Sequence, residues 1–329
     1  MHIGLVMAGD EEGGLEKHVV ELAAGLVTRG HQVSLIAHEK YRARLHPDIH
    51  FYAVNLAKSR RNLIVLFQLW YTLKQIRPDV VHVHGNKAAA MVGVLLRFLS
   101  VNSVATLHSR KKNTKMFAPF DQVIAVSQIA AESIVHPRVT VILNGIEPPK
   151  IEPRRPQSPP MVLAVGRLVP VKGFDVLIAA WRDLPAQLWI AGEGSEQAHL
   201  QQLIAQHQQQ GRIQLLGQRG DIVDLMQQAD LFVMSSHYEG CPYTMIEALL
   251  TRTPMLSTAV GAMRDILPAS CLCDPNDPDQ LYQLLAHALT DPAALQQVSA
   301  PVFAWASTHL TINGMMDQIE TCYQGGRSF

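Results

Sequence analysis

Residues 147–160 read EPPKIEPRRPQSPP, with six prolines in fourteen positions. Proline has no N–H to donate and holds its own φ fixed, so this run can be neither a helix interior nor a central strand. Its composition is that of a semi-rigid interdomain linker. It divides a chain of 329 residues near the middle, and each side is long enough for a core of its own. On both sides, short apolar runs alternate with helical periodicity. Before the linker, 2–7, 32–37, 80–84, 103–107, 122–126 and 139–143 read as strands, and 16–29, 63–75 and 88–99 as helices. After it, strands are expected at 161–165, 187–191, 213–216, 231–235 and 254–257. Helices are expected there at 174–181, 196–210, 222–229, 243–250, 279–289 and 301–324. Such alternation predicts α/β architecture, a parallel sheet covered on both faces in each half. The expected organisation is a Rossmann-like domain at 1–149, a linker at 150–160 and a second Rossmann-like domain at 161–300. A closing helical segment at 301–329 could cross back to the first domain. Two such domains facing across a cleft would place ligands beyond the carboxyl ends of their strands.

Composition narrows the function classes. Hydrophobic residues make up 48% and charged residues 17%, which argues against disorder. The four cysteines, Cys241, Cys271, Cys273 and Cys322, form no C-x-x-C and are too few for a disulfide scaffold. A reducing, cytoplasmic setting is expected. The first apolar run is too short for a signal peptide, and no uncharged apolar stretch reaches membrane-spanning length. Net charge is zero, but it is unevenly spread. Residues 1–150 hold 18 Lys+Arg against 11 Asp+Glu, a balance of +7, and the remainder balances at −7. Either this is ordinary surface charge or the first half faces something anionic. Nothing suggests nucleic acid as a partner.

Two segments of the second half carry chemistry. In Glu239-Gly-Cys-Pro-Tyr-Thr-Met-Ile-Glu247, one acid sits in a loop after a strand and the other one turn into the next helix. Pro242 is a helix start signal, and the N–H groups of that first turn can hold a phosphate. A carboxylate beside them can accept hydrogen bonds from sugar or ribose hydroxyls. The same two acids could instead serve as a helix cap and a solvated face. Gly166-Arg-Leu-Val-Pro-Val-Lys-Gly173 follows the first strand of the second half. Its Arg167 and Lys172 can neutralise a diphosphate, although a basic turn at a domain edge reads the same way. It is no Walker loop, because G-x-x-x-x-G-K-[ST] is missing.

Together these segments resemble the retaining nucleotide-sugar glycosyltransferases of the GT-B fold, glycosyltransferase family 4. The further elements of the resemblance are Gly13-Gly14 after the first strand, His108 after another, Asn144-Gly145 before the linker, and Gly192-Glu-Gly194. The resemblance implies that Arg167 and Lys172 bind the donor diphosphate and that Glu247 holds the ribose hydroxyls. Glu239 would contact the donor sugar, and the backbone of Gly240, Cys241 and Tyr243 would line the phosphate and sugar pocket. Gly14 would close over the phosphates, and His108 would reach the transferred sugar. Glu239, His108, Arg167 and Lys172 are thus the expected catalytic set. The implied reaction moves a hexose or N-acetylhexosamine from a nucleotide-diphosphate donor, UDP-linked, to a glycan or glycolipid, with retention at the anomeric carbon. Lipopolysaccharide or surface polysaccharide synthesis fits such a chemistry. No cofactor and no metal are expected. Two departures, Gly261-Ala262 where the family often has two glycines and Cys241 where Phe is common, bear on the donor sugar. Rival readings are an epimerase or phosphorylase on the same fold, or a non-catalytic nucleotide-sugar-binding subunit.

Other signals are weaker. His82 and His84 share one face of a strand, but no carboxylate or cysteine nearby completes a metal set. Gly192-x-Gly194 lacks the third glycine of a dinucleotide fingerprint. The apolar helix at 63–73 follows Lys58, Arg60 and Arg61. It could be buried, or it could lie on an anionic membrane surface. Arg110, Lys111, Lys112 and Lys115 follow His108 and could meet an anionic acceptor.

Overall fold

The computed structural model describes residues 1–9, 13–152 and 158–325. The predicted linker therefore lies partly outside the described residues. The chain forms two compact units, Met1–Asn144 with Ile312–Phe329, and Gly145–Thr311.

In the first unit the strands are β1 (His2–Met7), β2 (Gln32–Ala37), β3 (His50–Ala53), β4 (Val80–His84), β5 (Asn102–Leu107), β6 (Gln122–Ala125) and β7 (Val139–Val141). The helices are α1 (Gly14–Thr28), α2 (Leu63–Ile76), α3 (Gly85–Gly93) and α4 (Gln128–Glu132). The sheet runs β3-β2-β1-β4-β5-β6-β7, and every pairing is parallel. Its central strands are apolar on both faces because both faces are covered. Ile3, Leu5 and Met7 of β1 face the α1 layer, while Val6 faces the layer that holds α2 and α3. Helix α2 starts at Asn62, whose Oδ1 accepts the Ile64 and Val65 N–H groups. It stops at Arg77, in the left-handed region just before Pro78.

The second unit contains β8 (Met161–Val165), α5 (Phe174–Ala180), β9 (Gln187–Ala191), α6 (Gln197–Gln206), β10 (Ile213–Gly217), α7 (Ile222–Gln228) and β11 (Leu231–Met234). Then come α8 (Tyr243–Leu250), β12 (Met255–Thr258), α9 (Met263–Ile266), β13 (Leu272–Cys273), α10 (Pro278–Thr290) and α11 (Pro292–His309). Its parallel sheet runs β10-β9-β8-β11-β12-β13. The final helix, α12 (Ile312–Gln324), belongs to the first unit. There Arg29 meets Asp317 at 2.6 Å and Glu320 at 3.0 Å, and the Tyr323 hydroxyl meets His82 Nδ1 at 2.7 Å.

The structure differs from the sequence reading in several places. The expected helix at 88–99 is α3 followed by a 3₁₀ turn at Leu96–Phe98. It closes at Gly93, where an added Cβ would stand 3.3 Å from the Pro119 ring. The single helix expected at 301–324 is two, α11 and α12, divided between the units after His309, and the first begins at Pro292, because Asp291 Oδ1 accepts the Ala294 N–H at 3.0 Å and outcompetes the later proline as a start. Strands β3 and β13 are additions to the expected set, being only four and two residues long. Lastly, the described part of the linker is held against its own unit. Glu152 N–H donates to Gln227 Oε1 at 2.6 Å, and Gln227 Nε2 donates to the Lys150 carbonyl at 3.0 Å.

Candidate functional site

In each sheet the strand order reverses beside the first strand, between β1 and β4 in one unit and between β8 and β11 in the other. That reversal splays the following loops apart and opens a crevice at the carboxyl ends of the strands. In the second unit the two loops flanking it are Gly166–Gly173 and Ser235–Pro242. The first is a segment singled out from the sequence, and the second runs into the other, Glu239–Glu247.

The loops are strapped together by backbone. His237 N–H donates to the Val171 carbonyl at 2.9 Å and joins the two, while Ala262 N–H donates to the Gly240 carbonyl at 2.7 Å and ties the second loop to the start of α9. A 3₁₀ turn at Pro170–Lys172 ends on Gly173 at φ +61°, where an added Cβ would stand 2.2 Å from the Ser235 carbonyl oxygen. Gly192, at φ +145°, approaches Gly166 so closely that its Cβ would lie 1.9 Å from the Gly166 oxygen. Only glycine fits either position. The Gly192-x-Gly194 pair is therefore a packing device for the loop carrying Arg167 and Lys172.

On this frame Lys172 Nζ lies 2.6 Å from Glu239 Oε1, with the two side chains 18% and 11% exposed. Ser236 Oγ donates to the same carboxylate oxygen at 2.7 Å. Two residues 67 positions apart are thus joined across the strand reversal, and Arg167 lies exposed on the Lys172 loop. Gly240, Cys241 and Tyr243 follow directly and are buried. Cys241 is a buried thiol outside any disulfide, which suits a small packing residue rather than a nucleophile. Pro242 caps α8 without a side-chain hydrogen bond, so the first-turn N–H groups are left to backbone, water or ligand. Glu247 is only 9% exposed, on a helix whose other buried side chains include Met245, Ile246, Ala248 and Leu249. A carboxylate this buried is costly to desolvate unless it is hydrogen-bonded or paired.

In the first unit, Gly14 opens α1 and is exposed. His108 sits just beyond β5, half-buried. Its Nε2 is 3.3 Å from His84 Nδ1. His18, five residues into α1, stacks edge-on against it with ring centroids 4.9 Å apart. Burial holds His84 and His108 well below the ordinary imidazole range, helped in both cases by repulsion from His82 and His18. Burial lowers His18 to about 4, against a smaller raising contribution from the Asn144 side chain. It lowers His82 to about 3. The cluster is therefore neutral near pH 7. His18 and Ser236 escape the sequence reading, since neither belongs to a spaced motif. Only the adjacency of β1 and β4 brings α1 over the end of β4.

Comparison with known proteins agrees with this architecture. The family described as Glycosyltransferase Family 4 matches residues 12–150, and Glycosyl transferases group 1 matches residues 147–300. The chain is a group 1 glycosyltransferase with a family 4 N-terminal part. The GT-B assignment follows, each unit being a Rossmann-like parallel α/β sheet. One component of the human phosphatidylinositol N-acetylglucosaminyltransferase is 22% identical over 93% of this chain and 73% of its own length. Glycogen synthase of Mycobacterium tuberculosis is 28% identical over 67% of this chain, and the match spans 62% of that enzyme. The crystal structure of HepE from Anabaena in complex with UDP superimposes with a TM-score of 0.82 at 18% identity, over 98% of this chain and 100% of that one. At that identity it shares the fold.

Proposed function

We propose that this glycosyltransferase moves a hexose or N-acetylhexosamine from a UDP-linked donor to a glycan or glycolipid, with retention at the anomeric carbon. The observation that carries this reading is the pairing of Lys172 with Glu239 across the strand reversal, beside Arg167 and the start of α8. In this reading Arg167 and Lys172 meet the diphosphate, and Lys172 is held in place by Glu239 until the donor arrives. Glu239 then accepts hydroxyl groups of the sugar, and Glu247 those of the ribose. The leaving diphosphate gathers negative charge as the glycosidic bond breaks, and two fixed cations with the helix N-terminus stabilise it in place. The diphosphate takes the acceptor's proton on the same face of the sugar, so the protein supplies position and field. With two cations already at the diphosphate, no metal is required there. The UDP complex of HepE supports the donor base, and the human relative, an N-acetylglucosaminyltransferase by name, supports an N-acetylhexosamine among the candidate sugars. The acceptors named for the human and mycobacterial relatives differ, a lipid in one and a polysaccharide in the other, so the acceptor rests on features of this chain.

Those features favour a glycolipid on the cytoplasmic face of a membrane, as in lipopolysaccharide or surface polysaccharide synthesis. No helix among the described residues is long and apolar enough to cross a membrane. Yet α2 leaves Leu63, Ile64, Phe67 and Tyr71 between 51% and 79% exposed, on one helical stripe. Lys58, Arg60 and Arg61 precede it and are exposed.

The test is a panel of UDP-, GDP- and ADP-sugars, scored for nucleoside diphosphate release with and without a glycolipid acceptor, before and after chelation. Release that depends on acceptor, survives chelation and yields a product of retained configuration by NMR is expected. Release with no acceptor product would make the chain a hydrolase. Donor binding without release would make it a non-catalytic binding component. An absolute need for added Mg²⁺ or Mn²⁺ would remove the two-cation account of the diphosphate.

A further inference from the structure

A cavity of about 1090 Å³ opens in the first unit at the amino ends of β1, β4 and β5. It lies at the opposite end of the sheet from the strand-reversal crevice. Val80 lines it, and His84, four residues further along β4, stands about 13 Å away at roughly 3.3 Å per residue. The transfer chemistry proposed above uses none of its residues. Small-molecule sites commonly hold roughly 300–1,000 Å³, so the space suits a ligand of substantial size.

The lining combines apolar and cationic groups. Trp70 and Leu73 of α2 face it together with Leu99 and Val101 from the chain entering β5. Lys74 and Arg77, at the end of α2, also line it, are exposed, and form no ion pair among the described residues. Cations near a helix C-terminus are favoured by the helix dipole, which explains their sign but not the cavity beside them. Arg77 stands at φ +42°, a helix-ending position where glycine or asparagine is the usual choice. The backbone therefore gives no reason for an arginine there. Asp79, the acid among the described lining residues, already accepts the His2 N–H at 2.7 Å. Asn102, also in the lining, leaves its Oδ1 buried with no hydrogen-bond partner, an acceptor that a hydroxyl group in the cavity would satisfy.

The cavity continues the exposed apolar stripe of α2. Tyr71 belongs to both, and the Phe67 ring stands 5.8 Å from Trp70 and 6.3 Å from Tyr71, centroid to centroid. Basic groups bracket the stripe, Lys58, Arg60 and Arg61 ahead of it and Lys74 and Arg77 behind. Aromatic side chains between apolar and cationic surface are the order met at a membrane interface. We propose that this cavity takes one anionic phospholipid from the membrane on which α2 rests. Its acyl chain lies against Trp70, Leu73, Leu99 and Val101, and its phosphate meets Lys74 and Arg77, the two side chains suited to that group. The membrane setting is that of the proposed function, on which this inference rests. What the cavity adds is a site for a single lipid. Adsorption by charge needs neither saturation nor a chain, whereas this site needs head and chain together.

The test titrates the full chain with dodecyl phosphate held below its critical micelle concentration. Calorimetry should find one saturable site. Tryptophan fluorescence should shift on binding, and Trp70→Phe should lose most of that shift. Dodecyltrimethylammonium, which keeps the chain and reverses the charge, should bind at least tenfold more weakly, and so should inorganic phosphate, which lacks the chain. Lys74→Ala combined with Arg77→Ala should cost at least tenfold in affinity. Ser100→Trp, at an exposed position of the lining, should cost as much by filling the space, and it leaves both cations in place. Vesicles containing anionic lipid should compete with dodecyl phosphate, and neutral vesicles should not. Absence of a saturable site in the folded wild type overturns the proposal, as does equal affinity for the cationic amphiphile or binding that both variants retain. Vesicle binding without a dodecyl phosphate site sinks this inference and leaves the membrane reading standing. A dodecyl phosphate site in a protein that ignores anionic vesicles sinks the membrane reading and, with it, the lipid as occupant.

Discussion

The two units gather polar groups at the same topological position and treat charge in opposite ways. In the second unit the loops at the strand reversal bring a cation onto a carboxylate, Lys172 onto Glu239, and leave Arg167 toward solvent. In the first unit the same position holds imidazoles that burial keeps neutral. One end is built to meet a fixed anion. The other is built to offer uncharged nitrogen lone pairs and N–H groups. In the proposed reading the former meets a diphosphate and the latter a sugar hydroxyl. The shared topology explains why the sites lie where they do, and the side chains alone explain why they differ.

The largest expected effect separates the units by acid. A histidine whose folded pKa is depressed favours the unfolded chain as soon as the pH falls below its ordinary value of 6.5, because the unfolded state then binds the proton first. Stability is full above pH 6.5 and falls steadily until the folded pKa is reached. For His18 that limit is about 4 and for His82 about 3. At pH 5 each has cost about 2 kcal/mol, at 1.36 kcal/mol per unit. Hydrogen exchange at pH 7 and pH 5 should show β1, β4 and α12 losing protection by a factor of several hundred. The second-unit strands should lose much less. Equal loss in both units would mean that the cluster is hydrated and its imidazoles are not held neutral.

Next in size are the two cations. Arg167→Ala and Lys172→Ala should each lower turnover about a hundredfold or more while the second unit stays folded, corresponding to about 2–4 kcal/mol of transition-state stabilisation. Lys172→Ala also strips Glu239, 11% exposed, of its cation and leaves it the Ser236 hydroxyl. A modest drop in melting temperature should accompany it, and none should follow Arg167→Ala. Near-normal turnover in both would dissolve the contrast between the units.

Much of this comparison is legible in the sequence, and the exceptions are instructive. The strands of both units are apolar runs between turn signals, so His2–Met7 and Leu231–Met234 can be read directly. The Lys172 and Glu239 loops are legible because each follows a strand and carries its charges at a fixed spacing from glycine or proline. Their direct contact is not, since it depends on β8 and β11 being neighbours across three intervening strand-to-helix steps. The His18–His108 contact is hidden for the same reason. His18 reads as one more position on an amphipathic helix until the order β1-β4-β5 is known. The short edge strands β3 and β13 carry too few residues to show a period, and Pro301 misleads because a stronger start signal lies upstream at Asp291-Pro292.

Within the second unit the two glutamates should part company. Glu239→Gln touches the proposed sugar contact and the Lys172 pair, so turnover should fall more than tenfold with little change in KM. Glu247→Gln should chiefly raise KM for the donor, by about tenfold, because ribose contacts are alike in ground and transition states. Steady-state kinetics with a single donor read both. The reverse pattern would exchange their roles and put the buried acid of α8, not the loop acid, at the reacting sugar.

The smallest effect per residue tests whether the first unit's positive balance is functional. A basic side chain near an anionic membrane contributes about 1 kcal/mol, and the attraction decays within a Debye length of about 10 Å at 0.1 M salt. Lys58, Arg60 and Arg61 lie just ahead of α2, whose Leu63 and Phe67 are 79% and 62% exposed. Charge and apolar surface are thus side by side, the combination that lets a helix rest on a bilayer without entering it. Co-sedimentation should find the protein on vesicles containing anionic lipid, releasing steeply as salt rises. Replacing all three basic residues with Ala should lower the partition coefficient by about a hundredfold, at roughly 1 kcal/mol each. Phe67→Ser should lower it several-fold with less change in salt dependence, because its contribution is apolar. Vesicles of neutral lipid should bind weakly in every case. If the protein ignores anionic vesicles even at low salt, the charge asymmetry is surface composition, the α2 stripe serves another partner, and the acceptor is a soluble glycan.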